Sequence, residues 1–482
     1  AANGLDLGAL ARLSSHLPLA DEVRARIVRH APRGRVFDLR LDWKGPFDGE
    51  GLPAKWTLKG RFEGLGLSAL GPVPGVSALN GRIDGDEKHG SLRLDAQKAA
   101  LELPMVFADP RLELEAFAAE LGWTGGADGY QVQLRKAAFH NKDAAGEAHG
   151  TWQPLPRGPG RIDLDASLTR ASAEAVWRYI PLTVGKDVRN WLHASIVGGK
   201  ASEATLKLKG DLYEFPFRDG RDGTFEVRGK FREAVLRYAA GWPEIAGIDG
   251  ELLFAGARML ITGKTAHMFG VGLRDVRAEI ADLGQDDPLL TVTGRAAGPT
   301  ADFLRFIEAS PVGERIDHFT EDMKAEGSGE LDLKLALPLR RIAQSKVDGS
   351  YRFDGNRLTV DGDLPPLTDV RGALQFSAEH LEARGIRASL LGSPLGVDIR
   401  TGGDGSVQVA AAGELNVATL RRQHPHPALD HLSGSTRWNG SVRIRKKSAE
   451  VRITSNLLGL SSSLPEPFNK PATEALAFSL ER

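Results

Sequence analysis

Three histidines, His424, His426 and His431, stand close together near the end of the chain. Two imidazoles at i and i+2 could share a metal ion. Pro425 and Pro427 are interleaved with them, which makes this a loop, and no carboxylate clusters closely beside it. Exposed loop histidines are the expectation. Asp163 and Asp165 fall on one side of an alternating segment and could hold a hard cation or act as paired acids. Alternation alone, however, places polar residues outward there. Gly64, Gly66 and Gly71 lack phosphate-loop spacing and the following Lys-Ser/Thr, and Gly392-Ser393-Pro394 does not complete a nucleophile elbow. With no cysteine, disulfides, thiolate metal sites and cysteine nucleophiles are removed at once. No catalytic constellation, metal site or cofactor is expected.

The charge balance narrows the partners. With 62 basic and 63 acidic residues, the net charge is −1. Nucleic-acid binding needs a gathered surplus of Lys and Arg, so no nucleic-acid partner is expected. The run Arg443, Arg445, Lys446, Lys447 is short and interrupted and reads as a solvated strand face. No stretch of about 18 apolar residues occurs, so no helix of this sequence should span a bilayer. The sequence opens Ala1-Ala2-Asn3 and reads as an excised piece, with any signal peptide or membrane anchor expected outside it. A length of 482 residues implies either several ordinary domains or one extended array.

Self-similarity favours the array. The pattern Pro, one residue, apolar, two residues, apolar, one residue, Gly occurs as Pro74-Val76-Leu79-Gly81, Pro243-Ile245-Ile248-Gly250 and Pro365-Leu367-Val370-Gly372. Each copy continues as a strand, through Ile83, through Leu252 and Phe254, and through Leu374 and Phe376. The recurrent glycine sits mid-strand on the apolar side, where a bulge or sharp bend is expected. Helical segments recur out of phase with this motif, starting near the N-cap types Asp6, Ser172, Thr300 and Asn416. Three break at Pro18, Pro181 and Pro311 and then restart; the fourth, around Leu420, is interrupted by Pro425 and Pro427. Trp177 and Trp191 lie at helical spacing and are expected to pack helix on sheet.

Between the helices nearly everything alternates. Ile162, Leu164, Ala166 and Leu168 oppose Asp163 and Asp165, and Leu331, Leu333, Leu335 and Leu337 oppose Asp332 and Lys334. Such strands have one wet face and one dry face, as in antiparallel sheets. Asp84-Gly85, Asp354-Gly355 and Asp404-Gly405 suit hairpin turns. Roughly 20 to 24 strands result, which would extend about 100 Å in one ribbon. Open sheets of that size must curl, split or be covered. Two solutions remain open on periodicity: sheets packed as sandwiches, or one sheet curled into a gutter whose apolar lining meets a ligand.

The stretch Phe215-Pro216-Phe217, Gly223 to Phe231, Leu236-Arg237-Tyr238, Trp242-Pro243-Glu244-Ile245 and Gly250-Glu251-Leu252-Leu253-Phe254 resembles the central region of the YhdP branch of AsmA-like bacterial envelope proteins, relatives of TamB. The tail, with Leu458, Gly459, Leu460 and Leu464-Pro465-Glu466-Pro467-Phe468-Asn469-Lys470-Pro471, resembles a later segment of the same proteins. The likeness covers most of the chain from about Ser172. It implies a mostly β, long, curled antiparallel sheet of repeated units forming an apolar groove, with short helices between units. It further implies a periplasmic section of a bridge-like lipid-transfer protein, moving phospholipid towards the outer membrane, with contact to the inner and outer membranes through regions outside this chain. The expected units are residues 1–168, 169–298, 299–413 and a partial 414–482. The expected acyl-chain lining is Leu206, Leu208, Phe225, Val227, Leu252, Phe254, Leu331, Leu333, Leu335, Leu374 and Phe376. A non-catalytic β-sandwich scaffold assisting envelope assembly is the alternative.

Overall fold

The computed structural model describes residues 3–16, 21–45, 55–71, 73–126, 129–218, 220–360, 364–445 and 448–481. They form one antiparallel sheet of 26 strands that does not close, with few short helices. Among the described residues the strands thus belong to one sheet and not to a set of separate sandwich domains. The chain divides into two compact units, one of Ala1–Leu236 with Asp249–Ile261, the other of Arg237–Ile248 with Thr262–Arg482.

The first unit contains β1 (Leu5–Asp6), β2 (Arg33–Lys44), β3 (Lys55–Leu67), β4 (Gly75–Asp86), β5 (His89–Glu102), β6 (Arg111–Gly126), β7 (Gly129–His140), β8 (Ala144–Gln153), β9 (Arg161–Ser172), β10 (Ile196–Asp211) and β11 (Gly223–Leu236). From β2 onward each strand pairs with the next in the chain, and β1 pairs with β2. Strands β12 (Ile245–Ala255) and β13 (Arg258–Met268) contribute residues to both units. The second unit continues with β14 (Val271–Ile280), β15 (Leu289–Pro299), β16 (Lys324–Glu326), β17 (Ser328–Pro338), β18 (Lys346–Thr359), β19 (Leu367–Ser377), β20 (Leu381–Leu390), β21 (Ser393–Thr401), β22 (Val407–Asn416), β23 (Leu432–Arg445), β24 (Ser448–Ser455), β25 (Leu460–Ser462) and β26 (Phe478–Glu481). Here too the long strands pair in chain order, while β16 lies on β18, β25 on β23 and β26 on β24. Short links join antiparallel neighbours directly, as a meander requires.

The repeat motif opens β4, β12 and β19, but its glycine is not the bulge. The left-handed residue is the one just before the second apolar position: Ala78 (φ 58°), Gly247 (φ 59°) and Asp369 (φ 52°). The ladder slips around Ala78 and Asp369, so Val76 and Leu79, three apart, end on the same face, as do Leu367 and Val370. A bulge bends its strand and increases its local twist. Similar left-handed residues stand at Asp38, Gly64 and Lys98 in the first unit and at Asp275, Gly355 and Gly385 in the second. Two of these amides are capped from the neighbouring strand: Gly64 N donates to Asn80 Oδ1 at 2.9 Å and Gly385 N to Asp398 Oδ1 at 2.7 Å. Glu233, also left-handed, donates its amide to Asp249 Oδ1 at 2.9 Å. Asn80 and Asp249 occupy the same motif position, immediately before the glycine.

Two of the three expected hairpin turns are interior to strands. Asp84-Gly85 lies within β4, and Asp354-Gly355 lies within β18, where Gly355 (φ 74°) forms a bulge. Only Asp404-Gly405 turns the chain, between β21 and β22.

The helices are α1 (Leu7–Leu13), α2 (Asp21–His30), α3 (Lys186–Ser195), α4 (Thr300–Glu308), α5 (Pro311–Arg315) and α6 (Val417–Gln423). Asp6 and Asn416 cap α1 and α6, accepting from Ala9 N at 2.8 Å and Thr419 N at 3.1 Å. Pro18 lies outside the described residues. Ser172 precedes a 3-10 segment, Ala173–Tyr179, and makes no side-chain cap bond. Thr300 is the first residue inside α4 and its hydroxyl is taken by the sheet instead: it lies 2.7 Å from Tyr351 Oη and accepts from Asn356 Nδ2 at 2.7 Å. Asn356, fully buried, also donates to the carbonyls of Glu326 and Ser328 and accepts from Asp354 N. That network fastens α4 to β18. Trp177 stacks on His193 at 4.2 Å, whereas Trp191 is 46% exposed and does not fill a helix–sheet interface.

Candidate functional site

Each expected lining residue sits on a strand and is partly buried; none falls in the fully buried core. In the first unit Leu206 pairs with Ala166 on one side and Val227 on the other, and Leu208 with Leu164 and Phe225. These side chains therefore share one face. The reverse face carries Lys207 opposite Asp165 and Glu226, and Lys209 opposite Asp163. Lys209 Nζ donates to Asp163 Oδ2 at 2.7 Å, and that bond raises the lysine pKa. Along β12, Leu252 and Phe254 flank Leu253, which is partly buried as well, so the alternation is weaker there.

In the second unit Leu331, Leu333 and Leu335 of β17 stand opposite Ala296, Gly294 and Val292 of β15 and opposite Tyr351, Gly349 and Val347 of β18. Leu374 and Phe376 of β19 continue the same rows, paired with Tyr351 and Gly349. Here the outer face carries Arg295 beside Asp332 at 3.3 Å and Arg352 beside Glu330 at 3.2 Å.

Glycines on the dry face make room for rings from the adjacent strand. A Cβ at Gly81 would lie 2.6 Å from Phe62 Cζ, and one at Gly349 would run into the Phe376 ring. Trp123 covers Gly90 in the same way, and Tyr351 covers Gly329. At Gly81 the motif glycine thus holds space for a neighbouring ring, while a Cβ at the motif glycine Gly372 would meet Ile386; sequence reading alone took this glycine for a bend. Apolar contacts run along the face between neighbouring strands: Phe62, Leu79, Ala96, Ala99 and Leu114 in the first unit, and Val370, Ala383, Ile386, Ala388, Leu395 and Val397 in the second. Among the described residues each long strand packs chiefly against its immediate neighbours in the sheet.

Nothing else among the described residues has the form of a reactive site. A depression of about 740 Å³ in the second unit is walled by Asp275, Thr293, Arg295, Asp332, Lys334 and Asp348 among others. Its lining also includes Leu333 and Phe376, two of the residues expected on the apolar face. His426 accepts from Ala428 N at 3.2 Å and His431 Nδ1 lies 3.4 Å from Ser463 Oγ, so both serve loop structure. No group of three or more His, Cys, Asp or Glu among the described residues could hold a metal ion, and no helix is long and apolar enough to cross a membrane. Of the basic run, Arg443 pairs with Asp404, while Lys446 and Lys447 lie outside the described residues.

A family model described as YhdP protein matches residues 1–482. The chain belongs to the YhdP family. A curated member from Escherichia coli (strain K12), named intermembrane phospholipid transporter YhdP, is 26% identical over 470 residues, covering 93% of this chain and 35% of that protein. The chain thus spans about a third of that relative's length. No solved structure matches.

Proposed function

We propose that the apolar face of the sheet receives phospholipid acyl chains, and that this chain is one section of a bridge-like conduit moving phospholipid across the periplasm towards the outer membrane. The observation that carries the reading is, within each unit, a row of partly buried Leu, Val and Phe that share one face of the sheet. Leu206, Leu208, Phe225, Val227, Leu252 and Phe254 line it in one part, and Leu331, Leu333, Leu335, Leu374 and Phe376 in the other. The bulges would give each strand the bend that turns a flat sheet into a groove. The repeats at residues 1–168, 169–298, 299–413 and 414–482 would be successive segments of it. The relative's name supports lipid movement between membranes. An inner-membrane anchor and contacts with both membranes would come from regions outside this chain.

The energetics require no catalysis. Each buried methylene stabilises a lipid by about 0.8 kcal/mol, so about 30 methylenes amount to roughly 24 kcal/mol lost when a phospholipid enters water. An apolar lining offsets most of that loss while the headgroup stays in solvent. Selectivity between acyl chains should be low, since apolar contact is non-directional.

Photo-crosslinkers at Leu208, Val227 and Phe254, in protein purified from cells, should label co-purifying phospholipid. At Lys207 and Arg228, on the opposite face, labelling should be far weaker. Equal labelling from both faces, or none from either, would sink the reading.

A further inference from the structure

One rim of the apolar face in the first unit is built of tryptophan. Trp43, Trp56, Trp123 and Trp152 are four of the eight tryptophans in the chain, and all lie close to turn ends of their strands. Their register puts them on one level of the dry face: Trp43 faces Trp56, Trp123 faces Gly90 and Val132, and Trp152 faces Val132 and Ile162. Trp123 also covers Gly85, and Phe217 covers Gly210 and Gly223 of β10 and β11. The Trp56 and Trp123 rings stand 6.2 Å apart. Tyr130, opposite Gly125, extends the band. Rings and glycines thus make a nearly unbroken aromatic strip along the turn side.

The strip is wet on its outer side. Trp43, Tyr130 and Trp152 are 52%, 46% and 38% exposed. The Trp123 and Trp152 indoles donate to the carbonyls of Asp86 and Pro159, at 3.0 and 2.9 Å. Trp56 Nε1 is buried and has no hydrogen-bond partner, a donor left for an oxygen that the protein does not supply. The opposite, helix-bearing rim exposes chiefly aliphatic side chains, Met105, Val106, Leu182 and Val188, with Trp191 beside them.

Tryptophan and tyrosine favour the zone where hydrocarbon meets the ester and headgroup region of a lipid, because one end of each ring is apolar and the other hydrogen-bonds. Resting on the acyl-chain reading above, we propose that this turn-side rim holds the glycerol-ester end of a bound phospholipid. The acyl chains then run along the strands towards Leu94, Ala119 and Leu206, and the headgroup leaves the face beside Trp43, Tyr130 and Trp152. Lipids in this unit are oriented by the aromatic rim, with the helix-bearing rim facing chain ends.

The test uses the full chain incubated with phosphatidylethanolamine vesicles that contain a photoreactive diazirine lipid. In one probe the diazirine lies next to the ester, in the other at the end of the acyl chain, and adducts are mapped by mass spectrometry. The ester-proximal probe should mark peptides around Trp43, Tyr130 and Trp152 about tenfold over those around Met105 and Leu182, a ratio that corresponds to about 1.4 kcal/mol. The chain-end probe should mark mid-strand peptides around Leu94 and Leu206. Joint Trp43→Leu and Trp152→Leu replacement keeps the rim apolar and should bring the ester-proximal ratio close to one. Mid-strand labelling with equal ester-proximal signal at both rims would overturn the orientation and leave acyl-chain binding standing. No labelling of the apolar face by either probe would remove both.

Discussion

Replacing Leu333 by aspartate, beside the same change at Ile386, measures how open the apolar face is. Both residues lie on strands of the second unit, but Ile386 is only 5% exposed inside the Val370–Val397 cluster, while Leu333 is partly buried above Gly294 and Gly349. Full burial of a leucine contributes about 1.5–3 kcal/mol, so partial, sideways burial of Leu333 should contribute about 1 kcal/mol. A carboxylate at that position keeps its water, so its desolvation adds little. Leu333→Asp should therefore cost about 1–2 kcal/mol and lower the melting temperature by roughly 2–8 °C. Ile386→Asp loses roughly 2–5 kcal/mol of packing and buries an unpaired charge at a further several kcal/mol, which should unfold the unit. Differential scanning calorimetry and urea unfolding of both variants give the comparison. Lipid recovered with folded Leu333→Asp protein should fall sharply, because a charge would then stand in the acyl path. Equal, severe destabilisation by the two substitutions would refute the argument, since it would require a second layer over Leu333.

Two further outcomes follow from the second unit. Asn356→Ala removes a fully buried amide that serves Thr300, Asp354, Glu326 and Ser328 at once, so it should cost roughly 2–4 kcal/mol; a urea midpoint shift equivalent to less than about 0.5 kcal/mol would show that the network does not fasten α4. Tyr238, packed beside Trp242, has its phenol pushed up to about 12 by burial, above the ordinary value of about 10 for an unfolded chain. Because the folded value is the higher one, its stabilising contribution is full below pH 10 and is lost as pH rises from 10 to 12; Tyr238→Phe should flatten that alkaline decline in urea unfolding, and parallel curves for the two proteins would contradict the assignment.

Much of the sheet was legible because the signal of a half-wet strand is local. Asp332 and Lys334 between Leu331, Leu333 and Leu335 set the parity of β17 with no knowledge of its neighbours, and Asp6 and Asn416 cap helices through atoms three residues away. The Pro-to-Gly motif likewise marked the openings of β4, β12 and β19. The left-handed bulge inside it was hidden, because Ala78, Gly247 and Asp369 share a backbone conformation but no side-chain type. Asp84-Gly85 carried the composition of a turn, and its place inside β4 follows from the Trp123 ring that needs the glycine, a residue 38 positions on.

What the sequence determined, then, was the period-2 alternation and the meander with its short links, since each rests on neighbours in the chain. Register across strands decided the rest. It brought Trp43, Trp56, Trp123 and Trp152 into one strip, laid Phe376 on Gly349, and drew Thr300 to Tyr351 and Asn356 across more than fifty residues. Alternation states only that one face avoids water, and a second sheet or a lipid satisfies that demand equally, because apolar burial is non-directional. Only the three-dimensional pairing of the strands could show that the described strands join in one sheet.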